Sequence, residues 1–178
     1  TCEVTPHQLA LCEDDITENS GRFKMNPPLR NARDRDAILR GLQDGTVDCI
    51  ATDHAPHSAE EKQGGFSESL FGIVGLETAF SVCYTHLVAR GILSLEDLIS
   101  LMSVRPAKIL GRQAGLRPGA KADIAILDTE ADYTVCPETF YSKGKSTPFA
   151  GMTLRGRVAA TVANGKLVYT AGKGVQNS

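Results

Sequence analysis

The run Asp48-Cys49-Ile50-Ala51-Thr52-Asp53-His54-Ala55-Pro56-His57 constrains this chain more than any other segment. A short apolar stretch (Val47, Cys49, Ile50, Ala51) reads as a buried strand, and it ends abruptly in a carboxylate and two imidazoles. Such groups crowded onto the end of a buried strand are costly unless they bind or react. In parallel barrels the C-terminal strand ends carry the chemistry. The segment therefore reads as a strand end of a metal-dependent hydrolase, and the rest of the chain is organised around it.

The flanking pattern alternates strand and helix. Residues 1–6 read as a first strand closed by Pro6-His7. Residues 33–44 place Ala37, Ile38 and Leu42 on one helical face, with Gly45 as the stop. The strand over 47–53 follows, then a loop to about Ser69. Helical periodicity resumes near Gly75 and runs to Arg90. Ser94-Leu95-Glu96-Asp97 opens another helix, which Arg105-Pro106 interrupts before a short helix over 106–110. From about Gly115 the pattern turns β-rich. Ala122 to Asp128 is a strand and Tyr133-Thr134-Val135 a second. Leu154 to Ala163 and Lys166 to Tyr169 flank Asn164-Gly165, a strong hairpin signal. The expected class is α/β, with strand–helix units over 1–114 and a small β domain over 115–178.

The bulk numbers exclude several partners. A net charge of −2 implies no broad attraction to nucleic acid or to an anionic membrane, and no apolar run approaches a membrane span. Five cysteines at wide spacings, with no C-x-x-C, argue against a disulfide scaffold or a cysteine zinc knuckle. Reduced thiols and the lack of any signal-peptide pattern predict a cytoplasmic protein.

Asp53 is the leading candidate: a strand-end carboxylate can ligate a metal and take a proton from water. His57, re-aimed by the stiff Pro56 turn, either ligates metal or hydrogen-bonds substrate. His54 does either, or bonds backbone. Asn26, beside Pro27-Pro28, is either an amide that donates to and accepts from a ligand or an ordinary turn residue. His7 is either a partner to the site or a packed core histidine. Glu60, Glu61 and Lys62 read as a solvated loop face. Gly144-Lys145-Ser146 has the look of a phosphate loop but lacks its strand–loop–helix context, with Thr139 where the upstream glycine is needed.

Together, several motifs resemble bacterial-type (class I) dihydroorotases of the amidohydrolase superfamily. They are Thr5-Pro6-His7, Lys24-Met25-Asn26-Pro27-Pro28-Leu29-Arg30, the Asp48–His57 run, Phe71-Gly72-Ile73-Val74-Gly75-Leu76-Glu77-Thr78, Gly115 to Asp123 and Ser146-Thr147-Pro148-Phe149. The resemblance covers essentially the whole chain. It implies the C-terminal part of a TIM-like (β/α)8 barrel plus a small composite β-sandwich domain. It also implies zinc, one or two ions, and reversible conversion of L-dihydroorotate to N-carbamoyl-L-aspartate in pyrimidine biosynthesis. By the resemblance Asp53 is the zinc ligand and general acid/base, Asn26 and His57 bind substrate, and the Phe71-Gly72 backbone holds the amide edge of the ring.

The chain departs from that pattern in one respect. The His-x-His pair of the first barrel strand is absent, and a zinc ion needs roughly three to four protein ligands. Most ligands are therefore expected upstream of Thr1, in a missing N-terminal barrel portion, and the chain alone is expected to be inactive. A homodimer or an aspartate transcarbamoylase is the expected protein partner. Two rival readings are another cyclic-amide hydrolase (an allantoinase or dihydropyrimidinase) and a non-catalytic scaffold that partners aspartate transcarbamoylase.

Overall fold

A computed structural model describes residues 1–176; the last two residues of the expected β domain lie outside the described residues. The chain begins with β1 (Glu3–Val4) and α1 (Pro6–Ala10). Pro6 does not close a long strand. Thr5 caps a helix instead: Gln8 N donates to Thr5 Oγ1 at 3.3 Å and Thr5 N donates to Gln8 Oε1 at 3.2 Å, a reciprocal capping box with proline at the first helical position. His7 thus sits in a helix, buried with 2% of its surface exposed.

The expected helix over 33–44 is α2 (Ala32–Asp44), capped by Asn31 and ended by Gly45 in the left-handed region (φ 84°). β2 (Cys49–Ile50) lies parallel to β1, Glu3 opposite Cys49 and Val4 opposite Ile50. Asp48 N donates to Cys2 O at 2.9 Å and Ala51 N to Val4 O at 3.0 Å, extending the pairing on both sides. The ladder is shorter than the expected 47–53 because its partner β1 ends at Val4, where Thr5 caps α1. A single turn, α3 (Gly65–Glu68), interrupts the following loop.

α4 (Ala79–Cys83) starts four residues later than the periodicity suggests; ahead of it, Gly75 N and Leu76 N donate to the His54 ring. A π-helical turn, Tyr84–Val88, continues it. α5 (Leu95–Ile99), capped by Ser94, runs through a second π turn (Ser100–Val104) into α6 (Arg105–Ile109). Pro106 was expected to interrupt this helix. A proline ring clashes with the carbonyl four residues back; the wider π turn, in which Arg105 N donates to Ser100 O, lets the helix continue.

After a mostly exposed stretch over 110–121, β3 (Ile124–Thr134), β4 (Thr153–Ala163), β5 (Lys166–Thr170) and β6 (Gly174–Val175) form one antiparallel sheet in sequence order. The strands expected at 122–128 and 133–135 are one strand with a bulge. The Asp128 carboxylate accepts from Glu130 N and Ala131 N and so satisfies the backbone where the register shifts. Asn164 (φ 51°) and Gly165 (φ 75°) make the expected hairpin turn. The architecture is mixed α/β. Among the described residues the parallel pair does not close a barrel, and a single sheet stands where a sandwich needs two.

Two apolar clusters hold these elements. Val4 and Ile50 pack with Leu42, Leu87, Leu98 and Leu101 between the parallel pair and the helices. Met25, Ile73 and Val82 pack with Val135, Phe149 and Leu154 under the antiparallel sheet. Cys12, Cys49 and Cys83 are buried and all five cysteines are free; burial pushes the Cys83 thiol up to about 12, which makes it unreactive. No helix among the described residues is long and apolar enough to cross a membrane.

Burial lowers the pKa of His7 from 6.5 to about 4. Above 6.5 the ring is neutral in both the folded and unfolded chain. Between 6.5 and about 4 only the unfolded chain takes up the proton, so stability falls with pH across that window. The loss reaches about 3 kcal/mol at the lower end. His7→Gln removes this component: urea midpoints measured from pH 7.5 to pH 4 are expected to fall less in the variant than in wild type, and equal slopes would contradict it.

Candidate active site

Asp53 follows β2 by three residues and takes up the left-handed region, φ 48°. A non-glycine residue there is uncommon and costs of order 1–3 kcal/mol. Asp53 is exposed. Among the described residues its carboxylate makes no hydrogen bond and no ion pair.

The next two imidazoles are committed. His54 Nδ1 accepts from Gly75 N (3.3 Å) and Leu76 N (3.2 Å). The proton of the neutral ring is therefore on Nε2, and His54 bonds backbone, as one of its expected roles had it. His57 Nε2 lies 2.9 Å from Phe71 O and Nδ1 3.3 Å from Glu61 Oε2. Both partners are acceptors, so both bonds are made together only by the imidazolium form, which has no lone pair for a metal. Glu61 is itself fixed, accepting from Ser58 N at 2.9 Å, and this bond is the main cause that holds its carboxyl below the usual range.

Phe71 and Gly72 lie beside His57. Gly72 is buried with φ 128°, and a Cβ there would fall 2.6 Å from Ala55 Cβ and 2.7 Å from Ala55 O, so only glycine fits. Gly72 N donates to Lys24 O at 3.0 Å. This bond docks the loop of Asn26 onto Phe71-Gly72, since Asn26 is two residues beyond Lys24 and the intervening Met25 is buried. The Lys24 ammonium stands 4.6 Å from the centre of the Phe71 ring, a cation–π distance. Asn26 precedes a cis peptide to Pro27 and is exposed; its side chain makes no hydrogen bond among the described residues.

Of the charges read from the sequence as solvated, Glu61 is exposed as expected and anchors His57, whereas Lys62 is partly buried. Lys62 Nζ donates to Leu70 O (2.6 Å), Gly72 O (2.7 Å) and Lys24 O (3.3 Å). The sequence signal for either was hidden, because Glu60-Glu61-Lys62 looks like any charged loop. Lys24 opens the Lys24–Arg30 motif, whose sequence alone gives it no role. The dismissed Gly144 also has a place: a Cβ there would meet His57 O at 2.7 Å and His57 N at 2.9 Å, so its loop backs the histidine. That loop is tied down by Val74 N donating to Ser146 O (2.8 Å) and by Glu77, whose carboxylate accepts from Tyr141 N and Ser142 N.

The structure thus brings together His57, Phe71, Gly72, Lys24 and Lys62, with Asn26 tethered beside them. No three His, Cys, Asp or Glu side chains among the described residues converge to hold a metal. Asp53 is chemically fit to be one ligand of a metal, but the residues present do not complete a metal site. A cavity of about 390 Å³ lies elsewhere, lined by Leu76, Glu77, Tyr133, Tyr141, Arg157 and Tyr169 among others, and none of the expected site residues lines it.

The chain is 52% identical to a dihydroorotase of Bacillus caldolyticus over 174 residues, 97% of this chain and 41% of that protein. It is 53% identical to a dihydroorotase of Bacillus cytotoxicus over 170 residues, 95% of this chain and 40% of that protein. It therefore spans about two fifths of the length of these relatives. Among solved structures, the L-hydantoinase (dihydropyrimidinase) of Arthrobacter aurescens superposes with a TM-score of 0.91 at 32% identity, over 98% of this chain and 40% of that one. The dihydropyrimidinase of Brevibacillus agri, at 23% identity and a TM-score of 0.87 over 97% of this chain and 40% of that one, shares the fold. The family model described as the amidohydrolase family matches residues 10–168. That match takes in the Asp53 strand end, the Phe71-Gly72 segment and the β4–β5 hairpin alike, and this chain belongs to the amidohydrolase family.

Proposed function

We propose that the chain works as the C-terminal part of a dihydroorotase, which reversibly hydrolyses the cyclic amide of L-dihydroorotate to N-carbamoyl-L-aspartate. The observation that carries this reading is 52% identity to a dihydroorotase over 97% of the chain. In this reading residues 1–114 are strand–helix units of a (β/α)8 barrel and residues 115–178 belong to a small composite β domain. The change from parallel to antiparallel pairing and the exposed stretch over 110–121 support that division. The other barrel strands, the second sheet and most zinc ligands come from residues outside this chain, with Asp53 as the ligand the chain contributes.

Asp53 moves the proton. As water adds to the ring carbonyl, its carboxylate takes a proton from that water and passes it to the ring nitrogen as the C–N bond breaks; ring closure reverses the path. Strained backbone is retained where function over-determines it, and the left-handed φ of Asp53 supports this role. Zinc, when bound, supplies Lewis acidity at the same strand end.

Recognition falls to the neighbouring loops. Phe71 N–H has no partner among the described residues, and the carbonyls of Phe71 and Gly72 each hold one donor and keep a second lone pair. These groups suit the alternating N–H and C=O edge of the ring. The substrate also carries a carboxylate. The Lys24 ammonium over Phe71 supplies charge for it, and the His57 ring and the free amide of Asn26 supply polar groups.

The second reading, a hydrolase of hydantoins or dihydropyrimidines, is favoured by the superposition on the L-hydantoinase. Those rings lack the carboxylate, so substrate preference separates the two. The intact zinc-loaded protein is expected to favour dihydroorotate over hydantoin, dihydrouracil and allantoin by at least about 100-fold in kcat/KM; equal or reversed preference would overturn the proposal. Asp53→Asn is expected to lower kcat by about 10²- to 10⁴-fold with folding unchanged by circular dichroism; a variant with wild-type kcat would remove Asp53 from the chemistry. Gly72→Ala should raise KM for dihydroorotate by about tenfold or more, since the added Cβ must displace the Ala55 backbone or the clamp itself. A wild-type KM in that variant would mean the segment does not touch substrate.

A further inference from the structure

We infer that Lys62 is a positioning residue: its ammonium fixes the backbone of Leu70–Gly72, and with it the loop of Asn26, in the arrangement that meets the substrate ring. The inference rests on the dihydroorotase reading for the identity of the substrate, and on geometry for everything else.

A protonated amine has three N–H donors, and Lys62 aims them at three backbone carbonyls: Leu70 O, Gly72 O and Lys24 O. Leu70 O and Gly72 O accept from Lys62 Nζ, and the intervening Phe71 O is the partner of His57 Nε2. Three consecutive carbonyls are therefore held by two side chains, which restrains rotation of the peptide planes on either side of Phe71. The third acceptor adds a second link. Lys24 O takes both the Lys62 ammonium and Gly72 N–H, so one oxygen sets the distance between the Phe71-Gly72 segment and the loop that carries Asn26.

A lysine is an expensive way to achieve this if stability were its only purpose. Burial and the nearby Lys24 charge both lower the pKa of Lys62, in that order. The position keeps a cation that is partly withdrawn from water and repelled by its neighbour. What it gains is a tripod of donors that a neutral side chain of the same length does not have. Arginine does not substitute, because its donors lie in one plane.

The test uses the intact protein and three variants: Lys62→Met, Lys62→Arg and Lys62→Cys. For Lys62→Met, KM for dihydroorotate is expected to rise about 10- to 100-fold while kcat falls by no more than about threefold, the signature of a lost binding surface. Treating Lys62→Cys with 2-bromoethylamine forms a thioether that restores an ammonium at nearly the original reach. It should return KM to within about threefold of a wild-type sample treated identically. Amide hydrogen exchange of the substrate-free protein should quicken over residues 70–73 in Lys62→Met and stay unchanged in α2. Should Lys62→Met fail to fold, Lys62→Arg decides, since it keeps the charge: a raised KM supports the inference and a wild-type KM overturns it. Wild-type KM in a folded Lys62→Met, or exchange that quickens everywhere equally, overturns it too. If the wild-type protein does not turn over dihydroorotate, the functional reading fails by itself, and the exchange result alone supports or overturns Lys62 as the clasp of this segment.

Discussion

Buried peptide groups outside helices and sheets must find hydrogen-bond partners some other way, and the stretch from Ala51 to Thr78 is where this protein meets that demand. Ser69, Gly72, Ile73, Val74, Gly75 and Thr78 are buried there, yet the stretch holds only one helical turn and one bridge, His54 to Ile73. Its backbone is satisfied by side chains and by other loops. His54 receives two of its N–H groups, Lys62 donates to two of its carbonyls, His57 bonds one, and Lys24 O and Ser146 O each accept one of its N–H groups. Every residue proposed to touch substrate lies on this scaffolding or is tied to it.

The same constraint explains the electrostatics. The carbonyls of Leu70, Phe71 and Gly72 are met by the Lys62 ammonium and the His57 ring. The result is a pair of ammonium groups, Lys24 and Lys62, beside His57, within a chain whose net charge is −2. Under the proposed function, this pair of ammonium groups suits a substrate that carries a carboxylate. The pair also has a cost in repulsion between Lys24 and Lys62, which stays tolerable because each ammonium has its own local partner: the Phe71 ring for one and three carbonyls for the other.

Much of the architecture was legible beforehand because it depends on local rules. α2 and its Gly45 stop, the Ser94 cap and the Asn164-Gly165 hairpin all follow from residue types at fixed spacings. The strand before Asp53 was legible from its apolar run, although its ladder is only two residues long. The misreadings occurred where a local signal had a second solution. Pro6 opened a helix instead of closing a strand, and Pro106 was absorbed by a π turn. The bulge at Asp128 joined two strands that alternation alone would separate. At the candidate site, Asp53, His57 and Asn26 are singled out by residue type and position and Phe71 and Gly72 by motif resemblance, while the roles of Glu61 and Lys62 are hidden because a charged loop has no periodicity to mark its contacts.

By itself, the order of residues determined which segments would pair or coil, that a carboxylate and two imidazoles would follow a buried strand, and which family the chain resembles. Those outcomes depend on interactions between residues near one another along the chain. Only the tertiary structure decided which imidazole nitrogen faces a donor and which an acceptor, that Gly72 must be glycine because Ala55 lies against it, and that Lys62 clasps Lys24, Leu70 and Gly72 at once. The reason is physical: a hydrogen bond depends on where its partner lies in space, and the partners of Lys62 are separated by up to 38 positions in the chain.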